Sequence, residues 1–256
     1  MSQEKNGETN TYRLKPLEYH GRGGDRLMRK RWKQFAVRLF ASVLMFLLCF
    51  YFGRINREVL KRMDFEIPAY ILDAGHGGED GGAVSVTGTK ESTINMEIVR
   101  RMDQLLGLMG DSPLLLREED VSLHDSSSVT LREKKVSDLK NRAATVNANP
   151  SATLVSIHQN SYPELKYHGA QTFFAPTAGS EELASALQTQ LKYYLQPENN
   201  RSEKQIPESI YLLNHVQNRS VLIECGFLSN PEEEQLLQQN HYQTKLAMVI
   251  TSVLIE

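Results

Sequence analysis

Apolar and polar positions along this chain switch between a period of about two and a period of about 3.6, and the switches lay out strands and helices in turn. The apolar run Ala69–Leu72 predicts a buried strand that reaches Asp73 and breaks into Gly75-His76-Gly77-Gly78. In Glu91–Met109, Ile94, Ile98, Met102, Leu105 and Met109 recur on one helical face. Pro113–Leu116 predicts a short strand, and Thr130–Ala148 a second helix with Val136, Leu139, Ala143 and Val146 as its inner stripe. Ala152–Ile157 and Gln171–Ala175 predict strands. Ser180–Leu195 predicts a helix capped by Ser180, with Leu183, Leu187, Leu191 and Tyr194 in register. Gln196–Pro207 is polar and proline-bracketed, a loop by composition and a candidate cleft wall by its place between a helix and the last strand. Ser220–Ile223 predicts that strand. Asn230-Pro231-Glu232-Glu233-Glu234 opens a helix, with a capping residue, a proline at the first position and acids in the first turn. A last helix near His241–Leu254 buries Leu246, Val249, Ile250 and Val253.

Strands alternating with helices of this length predict an α/β fold. We expect a single three-layer domain over residues 66–256, with a twisted, mostly parallel sheet flanked by helices. The preceding residues differ in kind. Residues 1–33 read as a disordered basic cytoplasmic tail that ends in Arg29, Lys30, Arg31 and Lys33 beside Trp32. Residues 34–53 hold the uncharged run Leu39–Phe52 and read as a transmembrane or signal-anchor helix, with Arg38 near enough to its edge to snorkel. Residues 54–65 form a charged stalk. The denser basic cluster precedes the apolar run, so the positive-inside rule places residues 1–33 in the cytoplasm and the rest of the chain outside it. A net charge of −2 over 256 residues gives no reason to expect nucleic acid as a partner. Cys49 lies inside the apolar run and Cys225 after a distant strand, so they are not expected to pair.

Three strands lead into ionisable residues: the first into His76, the second into His158-Gln159-Asn160, the third into Glu224. A buried strand that carries His or Glu to its end loses stability unless that group is paired or bound to metal. Two histidines and a carboxylate, with a fourth position open to water, form a standard catalytic zinc set. For the third ligand the spacing leaves Glu79, Asp80, Glu91 and Glu97. Glu91 opens a helix that can lean back toward the glycine turn, Glu97 lies beside the apolar stripe and faces solvent, and Glu79 and Asp80 crowd His76. Asp73 and Asp80 read as turn-stabilising acceptors. Asn160 reads equally as an orienting group or a turn former. Arg117 and Arg142 could pair with acids near the site or touch a substrate carboxylate.

Five segments carry a resemblance. Asp73–Ala83 reads Asp-Ala-Gly-His-Gly-Gly-x-Asp-x-Gly-Ala, followed by Gly88-x-x-Glu91, Leu139-x-x-Arg142-Ala143, Ser156-Ile157-His158-x-Asn160 and Glu224-x-Gly226-Phe227-Leu228-Ser229-Asn230. In this order they resemble the zinc-dependent N-acetylmuramoyl-L-alanine amidases of the amidase 3 type. Leu131-Arg132-x-Lys134-Lys135-x-x-Asp138-Leu139 and His168–Phe173 look most like the germination-specific branch, which acts on spore cortex. The resemblance implies Zn2+ held by His76, Glu91 and His158, and Glu224 as the catalytic carboxylate that takes a proton from water and returns it to the leaving amine. It implies peptidoglycan as substrate; with the apolar run this gives a membrane-tethered enzyme at the wall or in the forespore intermembrane space, and sequence leaves open whether a protein partner activates it. A zinc carboxypeptidase on the stem peptide is the rival, because His76-Gly77-Gly78-Glu79 mimics its His-x-x-Glu spacing. The Glu224–Asn230 segment and Asp80-x-Gly82-Ala83 favour the amidase. A catalytically silent wall-binding protein is the other alternative, and the complete set of four site residues argues against it.

Overall fold

The computed structural model describes residues 23–62 and 68–255. The chain divides into two units, residues 1–64 and 65–256, each taken by itself below.

The first unit contains one continuous helix, α1 (Gly23–Arg62). It begins at Gly23, inside the stretch read as a tail. Leu, Met, Arg and Lys are strong helix formers, and a basic composition does not stop a helix that they fill. Residues 1–22 lie outside the described residues. Phe35, Leu39, Phe40, Met45 and Phe46 are exposed on α1. Among the described residues no helix is long and apolar enough to cross a membrane, so the span expected over residues 34–53 is not supported by the fold.

The second unit is a six-stranded sheet between two helical layers. The strands are β1 (Tyr70–Ala74), β2 (Leu114–Leu115), β3 (Thr153–Asn160), β4 (Gln171–Phe174), β5 (Lys204–Gln205) and β6 (Ser220–Phe227), in the spatial order β2-β1-β3-β6-β4-β5. β2, β1, β3 and β6 run parallel, and β4 is antiparallel to β6. The helices are α2 (Glu91–Met109), α3 (Leu131–Asn147), α4 (Ser180–Leu195), α5 (Tyr211–Asn214), α6 (Pro231–Leu237) and α7 (Asn240–Leu254). The buried stripes of α2, α4 and α7 pack with Leu72, Val155, Val221 and Ile223 into one core. On the opposite face Ala143 and Val146 of α3 and Leu212 and Leu213 of α5 pack with Ile71, Leu154 and Leu222. The central strands are therefore buried on both faces, as their near-continuous apolar runs require.

Two differences from the expected elements matter for function. β3 and β6 run on to Asn160 and Phe227, so His158 and Glu224 lie within paired strands rather than beyond them, and His158 stands directly opposite Glu224 in the ladder. The register slips between His158 and Asn160, which is how the pairing survives the polar residues. Ser180 is the first residue of α4 rather than its cap. Gly179 occupies that position with φ 76°, and the Ser180 hydroxyl accepts the Ser220 N–H at 2.8 Å. Asn230 caps α6 as expected, through its side-chain oxygen to the amides of Glu232 and Glu233.

Candidate metal centre

The centre lies at the carboxyl ends of β1, β3 and β6, where parallel sheets converge their polar groups. β1 hands the chain to a turn in which His76 is left-handed, with φ 63°. A non-glycine residue held there needs a surrounding that over-determines it. Two buried arginines supply that. Arg117 Nε donates to the Ala74 carbonyl at 2.7 Å and its Nη2 to the Gly75 carbonyl at 3.2 Å. Arg142 Nη2 donates to the His76 carbonyl at 2.8 Å and its Nη1 to the Ala74 carbonyl at 3.2 Å. Arg117 is committed to backbone carbonyls and Arg142 to carbonyls and buried acids, so neither is available to a substrate carboxylate. Arg142 also pairs with Asp73 and, through Nε at 2.7 Å, with Asp138. Ser156 Oγ donates to the other Asp73 oxygen at 2.6 Å. Asp73 is buried, which works to raise its carboxyl, yet the Arg142 charge prevails and holds it low. It is a structural counter-ion, not a ligand.

Glu91 is the first residue of α2, placed by backbone bonds on either side of it. Its own N–H donates to the Ala83 carbonyl at 2.8 Å, and that of Ser92 to the Gly81 carbonyl at 3.1 Å. The carboxylate is buried beneath the turn. Oε1 faces His158 Nδ1 at 2.9 Å and accepts the Gln159 N–H at 3.1 Å. Oε2 accepts the Ala83 N–H at 2.9 Å and lies 3.3 Å from His76 Nε2. One ligand atom from each of His76, Glu91 and His158 falls within 4.8 Å of the other two. Of the four carboxylates the spacing left open, Glu91 is the one that meets both histidines. Glu79 is paired with Lys134 at the surface, and Glu97 pairs with Arg101 on the outer face of α2, as expected for a solvent-facing residue. Asp80 does more than hold the turn. Besides accepting the Gly82 N–H at 3.2 Å, it lies 3.0 Å from His76 Nδ1, the place of a carboxylate that orients a ligand imidazole.

The electrostatics of the three residues are mutual. Burial opposes the Glu91 charge, but hydrogen bonds and charge from His158 and His76 hold its carboxyl well below the usual range. Burial likewise disfavours a charged His76, and the Asp80 and Glu91 carboxylates overcome it, raising the ring to about 9. Glu224 behaves oppositely. Burial lifts it to about 7, with His158 pulling down and Glu91 pushing up, and its Oε2 is enclosed without a hydrogen-bond partner. An acceptor left bare beside two imidazoles is a group waiting for a proton or a ligand.

The glycines of the turn serve the side chains around them. A Cβ on Gly75 would come within 2.2 Å of the His158 imidazole, and one on Gly82 within 2.5 Å of Glu91 Oε2 and 2.7 Å of His76 Cδ2. Gly75→Ala should push His158 off its position and weaken metal binding at least about tenfold, measured by competition with a chromogenic chelator. Unaltered affinity would refute that reading.

A cleft of about 350 Å³ opens over these residues. Its walls include Lys135 and Leu139 of α3 and the segment Ser209–Leu213 around α5. The wall is therefore supplied just after Gln196–Pro207 rather than by that loop, which also contains β5. Asn160 does not line the cleft. Its carbonyl accepts the Leu228 N–H at 2.8 Å and closes the β3–β6 ladder. Two residues escaped the sequence reading. Asn95 donates to the Gly75 carbonyl at 3.1 Å, and Gln159 Nε2 donates to Asn95 Oδ1 at 3.1 Å. The one signal for Asn95 was its place four residues after Glu91 on the same helical face.

Residues 71–256 match the family described as N-acetylmuramoyl-L-alanine amidase, Amidase_3. The germination-specific N-acetylmuramoyl-L-alanine amidase of Bacillus subtilis is 35% identical over 228 residues, which cover 87% of this chain and 93% of that protein. The CwlD amidase of Clostridioides difficile, solved in complex with the GerS lipoprotein, shares 41% identity with a TM-score of 0.68, over 71% of this chain and 93% of that one. An N-acetylmuramoyl-L-alanine amidase from Clostridium difficile 630 shares 28% identity with a TM-score of 0.63, over 74% and 95%.

Proposed function

The chain belongs to the Amidase_3 family of N-acetylmuramoyl-L-alanine amidases, hydrolases of the amide between N-acetylmuramic acid and L-alanine in peptidoglycan, and we propose that it works with one zinc ion held by His76, Glu91 and His158. The observation that carries this is the convergence of those three donors beside Glu224, whose buried oxygen has no other partner. Two imidazoles and a carboxylate suit zinc and leave a position free for water and substrate. When bound, zinc supplies Lewis acidity, making water nucleophilic near neutral pH and polarising a carbonyl.

The protein's own groups do the rest. Asp80 fixes the His76 ring, and the Arg117–Arg142 pair fixes the turn that carries it. Glu224, a buried carboxyl beside the three donors, is placed to accept the proton of the attacking water and to return it to the leaving amine.

The test is digestion of purified peptidoglycan by the full chain, with and without chelator. Stem peptides with a free N-terminal alanine, lost on chelation and restored by zinc, are expected. Release of D-alanine alone would move the assignment to a carboxypeptidase, and binding without release to a silent wall-binding protein. The Bacillus subtilis relative supports spore cortex as the natural substrate, and the Clostridioides difficile complex supports a protein partner for this chain. The uncharged Leu39–Phe52 run behind a basic cluster supports membrane attachment with the catalytic domain outside the cytoplasm.

A further inference from the structure

Arg201 lies beyond the residues that line the cleft and differs from the cations nearest the metal centre. Arg117 and Arg142 are spent on the His76 turn, and Lys135 lies 3.2 Å from Asp80. Arg201, on the segment between α4 and β5, is half-buried and rigidly mounted. Its backbone N–H donates to Asn199 Oδ1 at 2.9 Å, its Nε to the His168 carbonyl at 3.0 Å and its Nη1 to Gln171 Oε1 at 2.7 Å. The guanidinium carbon stands 4.6 Å over the Phe227 ring. Nη2 has no hydrogen-bond partner among the described residues. With Nε and Nη1 engaged and one face stacked, the guanidinium keeps Nη2 as the charged donor left to a carboxylate oxygen.

Its position relative to the chemistry follows from the sheet. Gln171 of β4 is the register partner of Glu224 of β6, so their side chains share a face, and Gln171 carries Arg201 beside that carboxyl. The Arg201 charge acts on Glu224 directly. Across the sheet the order is therefore His76 on the β1 side, His158 on β3, Glu224 on β6 and Arg201 beyond it. A leaving stem peptide that runs on past Glu224 toward β4 approaches Arg201. Strands are about 4.8 Å apart, and an extended peptide advances about 3.5 Å per residue. Along that course Arg201 is reached roughly one to two residues past the scissile amide.

We propose that Arg201 is a specificity residue that binds a free carboxylate on the second residue of the stem peptide. This rests on the amidase reading. The test uses the zinc-loaded full chain and glycan-linked stem peptides that differ only in that α-group, carboxylate or carboxamide. The wild type should favour the carboxylate at least about tenfold in kcat/KM, mainly through KM, the worth of a charged hydrogen-bonded pair. Arg201→Gln should bring the two substrates to the same kcat/KM, and Arg201→Lys should keep part of the preference. A wild type indifferent to the α-group, or a variant in which both substrates lose activity in equal proportion, would overturn the assignment and leave Arg201 a loop brace. If neither substrate yields free N-terminal alanine with the wild type, it is the amidase reading that fails, and this proposal falls with it.

Discussion

Glu224→Gln is expected to abolish amide hydrolysis while leaving one zinc per chain. The side chain keeps its shape but can neither accept a proton from water nor return one to the amine, a loss on the order of 10²–10⁴-fold in kcat. Metal content should hold, because the ligand atoms belong to His76, Glu91 and His158 and none of them leans on Glu224 through a hydrogen bond. His158→Ala is the control, and it should lose both zinc and turnover. Persistence of stoichiometric zinc in that control would show the ligand set to be wrong.

The same variant should be more stable without metal. A carboxyl whose folded pKa is raised from 4.5 to about 7 binds its proton more tightly in the folded chain than in the unfolded one. Its contribution is therefore a cost that is absent below the unfolded value, grows as pH rises through the interval, and is complete above about 7. Glutamine carries no charge to desolvate, so metal-free Glu224→Gln should gain on the order of 1–3 kcal/mol at pH 8 and little at pH 4. Thermal melts at the two pH values decide it. A gain of equal size at both would mean that the buried charge is not its source.

How much of this was readable in the sequence differs by level. The layered α/β fold followed from apolar runs bounded by turn residues, and the site at β1, β3 and β6 could be picked out because a histidine or glutamate follows each apolar run, although β3 and β6 continue past theirs to Asn160 and Phe227. Glu91 could only be ranked among four carboxylates by spacing, because the fold of the loop from Gly77 to Lys90 decides which of them returns to His76. That fold depends on bonds such as Glu91 N–H to Ala83, which no local pattern announces. The roles of the arginines were the least legible. Arg117 is fixed by carbonyls of β1 and its turn, and Arg201 by Gln171 and Phe227, all contacts between segments far apart in sequence. A basic residue reads alike whether it is buried on backbone carbonyls or free on the surface. The start of α1 at Gly23 was missed for a related reason: basic composition suggested a solvated tail, while the helix propensity of the same residues favours a helix.

Arg142→Met should be the most destabilising single change in the domain outside the apolar cores. The methionine matches the aliphatic stem but removes a cation that joins Asp73, Asp138 and the carbonyls of Ala74 and His76. Asp73 would then keep only Ser156 against its burial. Removing one partner of a buried pair costs about 3–5 kcal/mol, since the other charge stays desolvated and uncompensated. For a domain of this size that lowers the melting temperature by roughly 10 °C. Zinc affinity should fall as well, because the left-handed His76 loses the bond that holds its carbonyl. Arg142→Lys separates the two effects: it retains charge near Asp73 but cannot reach Asp73, Asp138 and His76 together, so it should recover stability more fully than zinc affinity. If the cost arises from an orphaned carboxylate, the double variant Asp73→Asn/Arg142→Met must be clearly less destabilised than the two single changes summed. Strict additivity in that cycle would place the role of Arg142 in packing alone.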